Sequence, residues 1–283
     1  MAQGFKHVAA ADHTLFIKSN STSLTALLVY VDDIILDGTS LSVFEALKQA
    51  LHRAFRIKDL GKFEKQLGLE VARSSKDVGL TRCKLSSTPL DASIRVHQDN
   101  GNLFSDVTAY RKLVGRFIYL TTTRPDIAFA MQQLSQFMSA PTEAHYRDSL
   151  RVLRHLKWSP PRGILLSSSS ALQILGFSDA DWGGCIETRR SISGYCFFIG
   201  DSLLSWKSKK QPIVSCSSTE AEYRALAYAT RELQWMCFLL HDYHQHSSRL
   251  PVLYCDNQSS IQISTNTVFH ERTKHIDIDC HLV

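Results

Sequence analysis

The chain has no Cys-x-x-Cys pair, no Gly-rich phosphate loop, no Ser-His-Asp pattern and no internal repeat. It also has no apolar run near the ~18 residues that a membrane span requires. Each absence removes a class of protein. The seven cysteines, at 83, 185, 196, 216, 237, 255 and 280, are scattered, several within apolar stretches. That favours reduced, buried thiols in an intracellular protein, cytoplasmic or nuclear, over zinc ligands or disulfides. No apolar core follows Met1, so the N-terminus does not read as a secretion signal. The 283 residues suffice for two modest domains, and a hydrophobic share of 44% against 21% charged residues implies buried cores rather than disorder. The net charge of +5 suits a phosphate backbone without identifying one.

What the sequence does contain is acids in unusual company. Leu27-Leu28-Val29 leads into Tyr30-Val31-Asp32-Asp33, and Ile34-Ile35-Leu36 leads out. The pattern predicts strand, tight turn, strand, with Asp32 and Asp33 at the tip. Adjacent acids repel, and a divalent cation removes that penalty. Taken alone, the same residues also fit an ordinary Asp-Asp hairpin turn. Further on, Phe177-Ser178-Asp179-Ala180-Asp181-Trp182 follows an apolar strand. Ser217-Ser218-Thr219-Glu220-Ala221-Glu222 opens a helix, and the strand Val252 to Cys255 ends in Asp256. Strand-acid, helix-acid, strand-acid is an order that gathers carboxylates at one end of a sheet, where they can hold two metal ions.

Periodicity predicts a strand pair over 14–37 and a helix over 42–55, with apolar residues at 43, 44, 47, 51 and 55 and Ser40 or Ser42 as cap. That helix carries the nearest apolar stripe to cover the hairpin. A short strand over 67–72 and a polar linker over 86–105 follow. Three helices come next, over 106–120, 125–138 and 142–158. The last part alternates strands at 172–177, 194–199, 203–206 and 252–256 with helices at 219–241, 258–263 and 275–282.

Eight stretches resemble the Ty1/copia class of retrotransposon polyproteins: LLVYVDDIIL at 27–36, LGKFEKQLGLEVARS at 60–74, YRKLVGRFIYLTTTRPDIAFA at 110–130, GFSDADWGGC at 176–185, TRRSISGYCFFIG at 188–200, SWKSKKQPIVSCSSTEAEYRALA at 205–227, LYCDNQSSI at 253–261 and HERTKHIDIDCH at 270–281. Their order makes the resemblance far more specific than any single stretch, and it covers essentially the whole chain. It implies an α/β (α+β) architecture. A partial reverse transcriptase palm would occupy 1–92 and thumb or connection helices 93–168. A ribonuclease H-like mixed sheet with flanking helices would occupy 169–283.

The resemblance also implies an RNA-directed DNA polymerase (a nucleotidyltransferase) and an endonuclease for the RNA strand of RNA–DNA hybrids. Asp32 and Asp33 would be catalytic metal ligands of the first. Asp179, Glu222 and Asp256 would be those of the second, with Mg2+ or Mn2+ as cofactor. Glu222 is preferred to Glu220 because Tyr223-Arg224-Ala225 follows it as in the family, which leaves Glu220 as a first-turn acid favoured by the helix dipole. Nucleic-acid contacts would come from Ser218, Thr219, Asn257 and Gln258. Lys207, Lys209 and Lys210 read either as phosphate contacts or as a solvated loop. Asp181 reads as a turn acid, Trp182 and Trp206 as core or rim, and His275 with Asp279 as structural. The expected partners are an RNA–DNA hybrid or primer-template and the rest of the polyprotein, with no membrane.

Three departures from the family bear on activity. A further polymerase Asp would lie on an earlier strand, residues 77–80 join almost directly to the Lys-x-x-Ser-Thr-Pro motif at 84–89, and a last strand and helix with a fourth carboxylate would follow residue 283. The sequence thus predicts a fragment truncated at both ends with impaired activity. The rival reading is a non-catalytic retroelement remnant that at most binds nucleic acid.

Overall fold

A computed structural model describes residues 5–7, 12–19, 23–30, 33–55, 57–59, 84–91, 96–97, 101–159, 162–167, 169–245 and 247–265. They divide into two compact units, one drawn from residues 1–71 and 232–248 and the other from 72–231 and 249–283. The strand expected over 67–72, the helix over 275–282 and Asp32 lie outside the described residues.

The first unit holds an antiparallel meander of β1 (Lys6–His7), β2 (Leu15–Ser19), β3 (Leu24–Tyr30) and β4 (Asp33–Gly38), in that spatial order. The expected strand pair is therefore two strands wider. In β2, Leu15 and Ile17 alternate onto one face, and the register sets Leu28 opposite Leu15 and Ala26 opposite Ile17. Leu15, Ile17 and Ala26 are buried, and the partners packed on them are Leu24, Leu28, Leu239 and Tyr243. This face is not covered by the helix next in sequence. The helix after the hairpin, α1 (Leu41–Phe55), buries only Leu47, and its Leu41 and Phe55 are exposed. Leu239, near the end of a much later helix, α5 (Ser218–Asp242), and Tyr243, just past it, cover this face.

In the second unit, α2 (Val107–Leu120) starts at Asp106, whose carboxylate accepts the Ala109 N–H at 2.9 Å. The single helix expected over 125–138 is broken. A 3-10 turn over Pro125–Ile127 precedes α3 (Ala128–Leu134), and another over Ser135–Phe137 ends it. Pro125 presets the first turn, and tight turns at both ends are the usual way a short helix closes. Helix α4 (Glu143–Trp158) is opened by Thr142, which exchanges hydrogen bonds with His145. Tyr110, Val114, Ile127, Leu134 and Val152 are fully buried among these helices. Arg124, itself buried, donates to both oxygens of Asp126 at 2.9 and 2.7 Å, and His155 Nε2 lies 2.9 Å from the same carboxylate. Burial pushes the Asp126 carboxyl up, but the Arg124 and His155 bonds outweigh it and hold it at about 2.

The mixed sheet of this unit runs β7-β6-β5-β8, from β5 (Ile174–Asp181), β6 (Ile192–Ile199), β7 (Ser202–Lys210) and β8 (Val252–Tyr254). β5 is antiparallel to β6 and parallel to β8, so α5 belongs to the crossover between β7 and β8. α5 meets β5 through Ala180, Ala221 and Ala225, small side chains that permit close approach. Gly176 sits between β6 and β8 where a Cβ would run into the Phe197 ring and lie 2.9 Å from Leu253 Cδ1. α6 (Gln258–Thr265) follows β8. The α/β (α+β) class read from the sequence stands. No helix among the described residues is long and apolar enough to cross a membrane.

Candidate metal centre

Asp179 lies on the exposed side of β5, whose residues alternate buried and open from Gly176 to Asp181. β8 pairs with β5 at Leu175 with Val252, Gly176 with Leu253 and Phe177 with Tyr254. The same register carried two residues on sets Asp256 level with Asp179. Glu222 enters from the first turns of α5 and is only 7% exposed. Its Oε1 accepts the Ala180 N–H at 3.2 Å, while its Oε2 is buried with no hydrogen-bond partner among the described residues. Donor atoms of Glu222, Cys255 and Asp256 lie within 4.8 Å of one another.

Burial pushes the Glu222 carboxyl up, the nearby charges of Asp179 and Asp256 push it further, and the Ala180 N–H only partly compensates, so it titrates at about 7. Burial likewise pushes the Cys255 thiol up, with the charges of Glu222, Asp256 and Asp179 adding and the Asn257 N–H opposing. A buried carboxylate oxygen without a partner, facing two other acids, is costly unless a cation shares it. The carboxylate oxygens of this corner therefore fit a hard divalent ion.

The start of α5 is built around Glu220 rather than Glu222. Ser217 Oγ accepts the Glu220 N–H at 3.1 Å, Glu220 Oε2 accepts the Cys216 N–H at 2.7 Å, and Arg224 pairs with Glu220 at 2.9 Å. Ser218 is exposed and opens the helix, and the Thr219 carbonyl accepts the Ser260 hydroxyl at 3.1 Å. Asn257 caps α6, its Oδ1 accepting the Ser260 N–H at 2.9 Å, and Gln258 is exposed beside it. Lys207, Lys209 and Lys210 stand on strand β7, which overturns the loop alternative. Together with Gln132, Gln136 and Trp206 they line a cleft of about 400 Å³. Lys210 Nζ donates to Gln136 Oε1 at 2.6 Å. The indoles of Trp206 and Trp182 donate to the carbonyls of Thr121 and Ser215, both at 3.0 Å. Asp33 opens β4 opposite Tyr30 and is exposed, in the first unit. Cys255 is the site residue that sequence reasoning passed over. Its signal was its place directly before the strand-end acid.

A family model described as Reverse transcriptase (RNA-dependent DNA polymerase) matches residues 1–91. Over 290 residues the chain is 37% identical to the Retrovirus-related Pol polyprotein from transposon RE1 of Arabidopsis thaliana, covering 97% of this chain and 20% of that polyprotein. It is 31% identical over 294 residues to the corresponding polyprotein from transposon TNT 1-94 of Nicotiana tabacum, covering 95% of this chain and 22% of that one. A transposon Ty5-1 protein of Saccharomyces cerevisiae is 30% identical over 240 residues, 78% of each chain. No solved structure matches. The match marks residues 1–91 as a domain of the reverse transcriptase class. Within that class the chain belongs to the Ty1/copia-type retrotransposon Pol polyproteins. It spans about a fifth of the length of the long polyproteins, 20% in the case of RE1.

Proposed function

We propose that residues 169–283 act as a ribonuclease H on the RNA strand of RNA–DNA hybrids, behind a reverse transcriptase palm at 1–92 and thumb or connection helices at 93–168. The observation that carries this reading is the buried, unpartnered Glu222 Oε2, which has Asp256 donor atoms within 4.8 Å and lies within the electrostatic reach of Asp179. Asp179, Glu222 and Asp256 would hold Mg2+ or Mn2+, which when bound activates water and stabilises the leaving oxygen.

The chain's own groups do the rest. The Ala180 N–H fixes Glu222 through Oε1 and leaves Oε2 for the ion. Ser218 and Thr219 at the head of α5 and Asn257 and Gln258 at the head of α6 flank the acids, where they can contact the hybrid backbone. Lys207, Lys209 and Lys210 supply positive charge along β7 for phosphates. In the palm, Asp32 and Asp33 would serve primer-template synthesis with the same metals, in concert with the rest of the polyprotein. The test is cleavage of a labelled RNA strand in a hybrid with Mg2+ or Mn2+. Cleavage should stop with EDTA, with Asp179→Asn and with Asp256→Asn. Hybrid binding without any cleavage would favour the remnant reading, and cleavage that survives both substitutions would remove these residues from the site.

A further inference from the structure

Cys255 shares the carboxylate corner but has no part in the proposed hydrolysis. Donor atoms of Cys255, Glu222 and Asp256 lie within 4.8 Å of one another. Ligands on one ion, each about 2.0–2.3 Å from it, stand roughly 3.5 Å apart, so small side-chain rotations close the set. Glu222 supplies a second, independent mark of a ligand position. It is more than nine-tenths buried, and Oε2 has no partner while Oε1 is occupied by the Ala180 N–H. Magnesium takes oxygen ligands and leaves a thiol unused, whereas sulfur and carboxylate together suit zinc and other thiophilic divalent ions.

We propose that Cys255, Glu222 and Asp256 form a site for a thiophilic divalent cation, Zn2+ foremost, which competes with the Mg2+ or Mn2+ held by Asp179, Glu222 and Asp256. The inference rests on the reading of this corner as a cation site and differs from it in donor and ion. On binding, the thiol proton leaves to solvent and the sulfur becomes the third protein ligand, with water completing a tetrahedral shell. Zinc bound there occupies Glu222 and Asp256 and displaces the hard ion.

The experiment uses the full 283-residue chain. Cobalt(II) serves as the optical probe of thiolate ligation, and Mn2+ binding is followed separately by electron paramagnetic resonance. One cobalt per chain should give a sulfur-to-metal charge-transfer band that zinc displaces and that is lost in both Cys255→Ser and Glu222→Gln. Cys216→Ser, at an exposed cysteine, should keep it. In the unaltered chain, free zinc at about ten times its dissociation constant should slow alkylation of Cys255 about tenfold, while Mg2+ should not. A band that survives Cys255→Ser, or equal alkylation rates with and without zinc, overturns the proposal. Mn2+ binding with no thiolate band refutes the zinc site and leaves the hydrolytic reading standing. A Cys255-dependent band without Mn2+ binding does the reverse.

Discussion

Glu222→Gln should make the metal-free protein more stable at pH 8. An ordinary glutamate titrates near 4.5, and Glu222 in the fold titrates at about 7, pushed there by burial and then by Asp179 and Asp256. A folded-state value above the unfolded one means the penalty is absent below about 4.5 and complete above about 7, so stability falls as pH rises through that window. The gap corresponds to about 3 kcal/mol. Glutamine keeps the oxygen that accepts the Ala180 N–H and replaces Oε2 with an amide nitrogen that can donate to the neighbouring acids. The variant should therefore gain about 3 kcal/mol over wild type at pH 8 and almost nothing at pH 4. The assay is urea denaturation in EDTA at a series of pH values. The difference between the two proteins isolates Glu222 from every other titrating group. Adding Mn2+ should reverse the order, stabilising wild type and leaving the variant nearly unmoved. A Glu222→Gln protein no more stable than wild type at pH 8 would refute the argument that this carboxylate is held against its own charge.

Three further outcomes are expected from the rest of the structure. Asp126→Ala leaves Arg124 buried without its counter-charge and should cost about 3 kcal/mol by urea unfolding; in wild type the Asp126 contribution, present above about 3.8, should be lost as pH falls through about 2. Gly176→Ala drives a methyl into Phe197 and Leu253 and should cost about 2 kcal/mol, read as a lower thermal midpoint that Phe197→Leu partly restores. Thr142→Ala removes the cap that accepts the His145 N–H and should cost about 1 kcal/mol, whereas Thr142→Ser should cost little by the same measurement.

The places of the acids were legible because each falls near a strand end or in the first turns of a helix, and alternating burial along β5 follows directly from its period of two. The break in the helix at 125–138 was half-legible, since Pro125 marks its start but nothing in Ser135-Gln136-Phe137 announces a tighter turn. Lys207, Lys209 and Lys210 looked like a loop because a charged run shows no apolar face. Among the described residues β7 is an edge strand paired only with β6, where Lys207 and Lys209 are exposed and Lys210 reaches Gln136. The cover of the Leu15–Ile17 face of the first sheet was not legible. α1 offers a plausible stripe next in sequence, but Leu239 and Tyr243 come from residues far along the chain, and no local pattern encodes which distant face wins.

The parallel pairing of β8 with β5 has a kinetic consequence. β5, β6 and β7 follow one another as hairpins and can pair as soon as residue 210 is available. β8 must wait for the whole of α5 to form and cross over before Val252 can find Leu175. Such long-range closures come late and slowly in folding. Asp179 sits on the early part and Asp256 on the late strand end. A growing chain at residue 210 therefore carries one of the three acids of its cation corner, and Asp256 comes only after a further forty-odd residues. Divalent ions present during synthesis would lack the Asp256 ligand until β8 docks, and cation uptake would serve as a clock for that step of assembly.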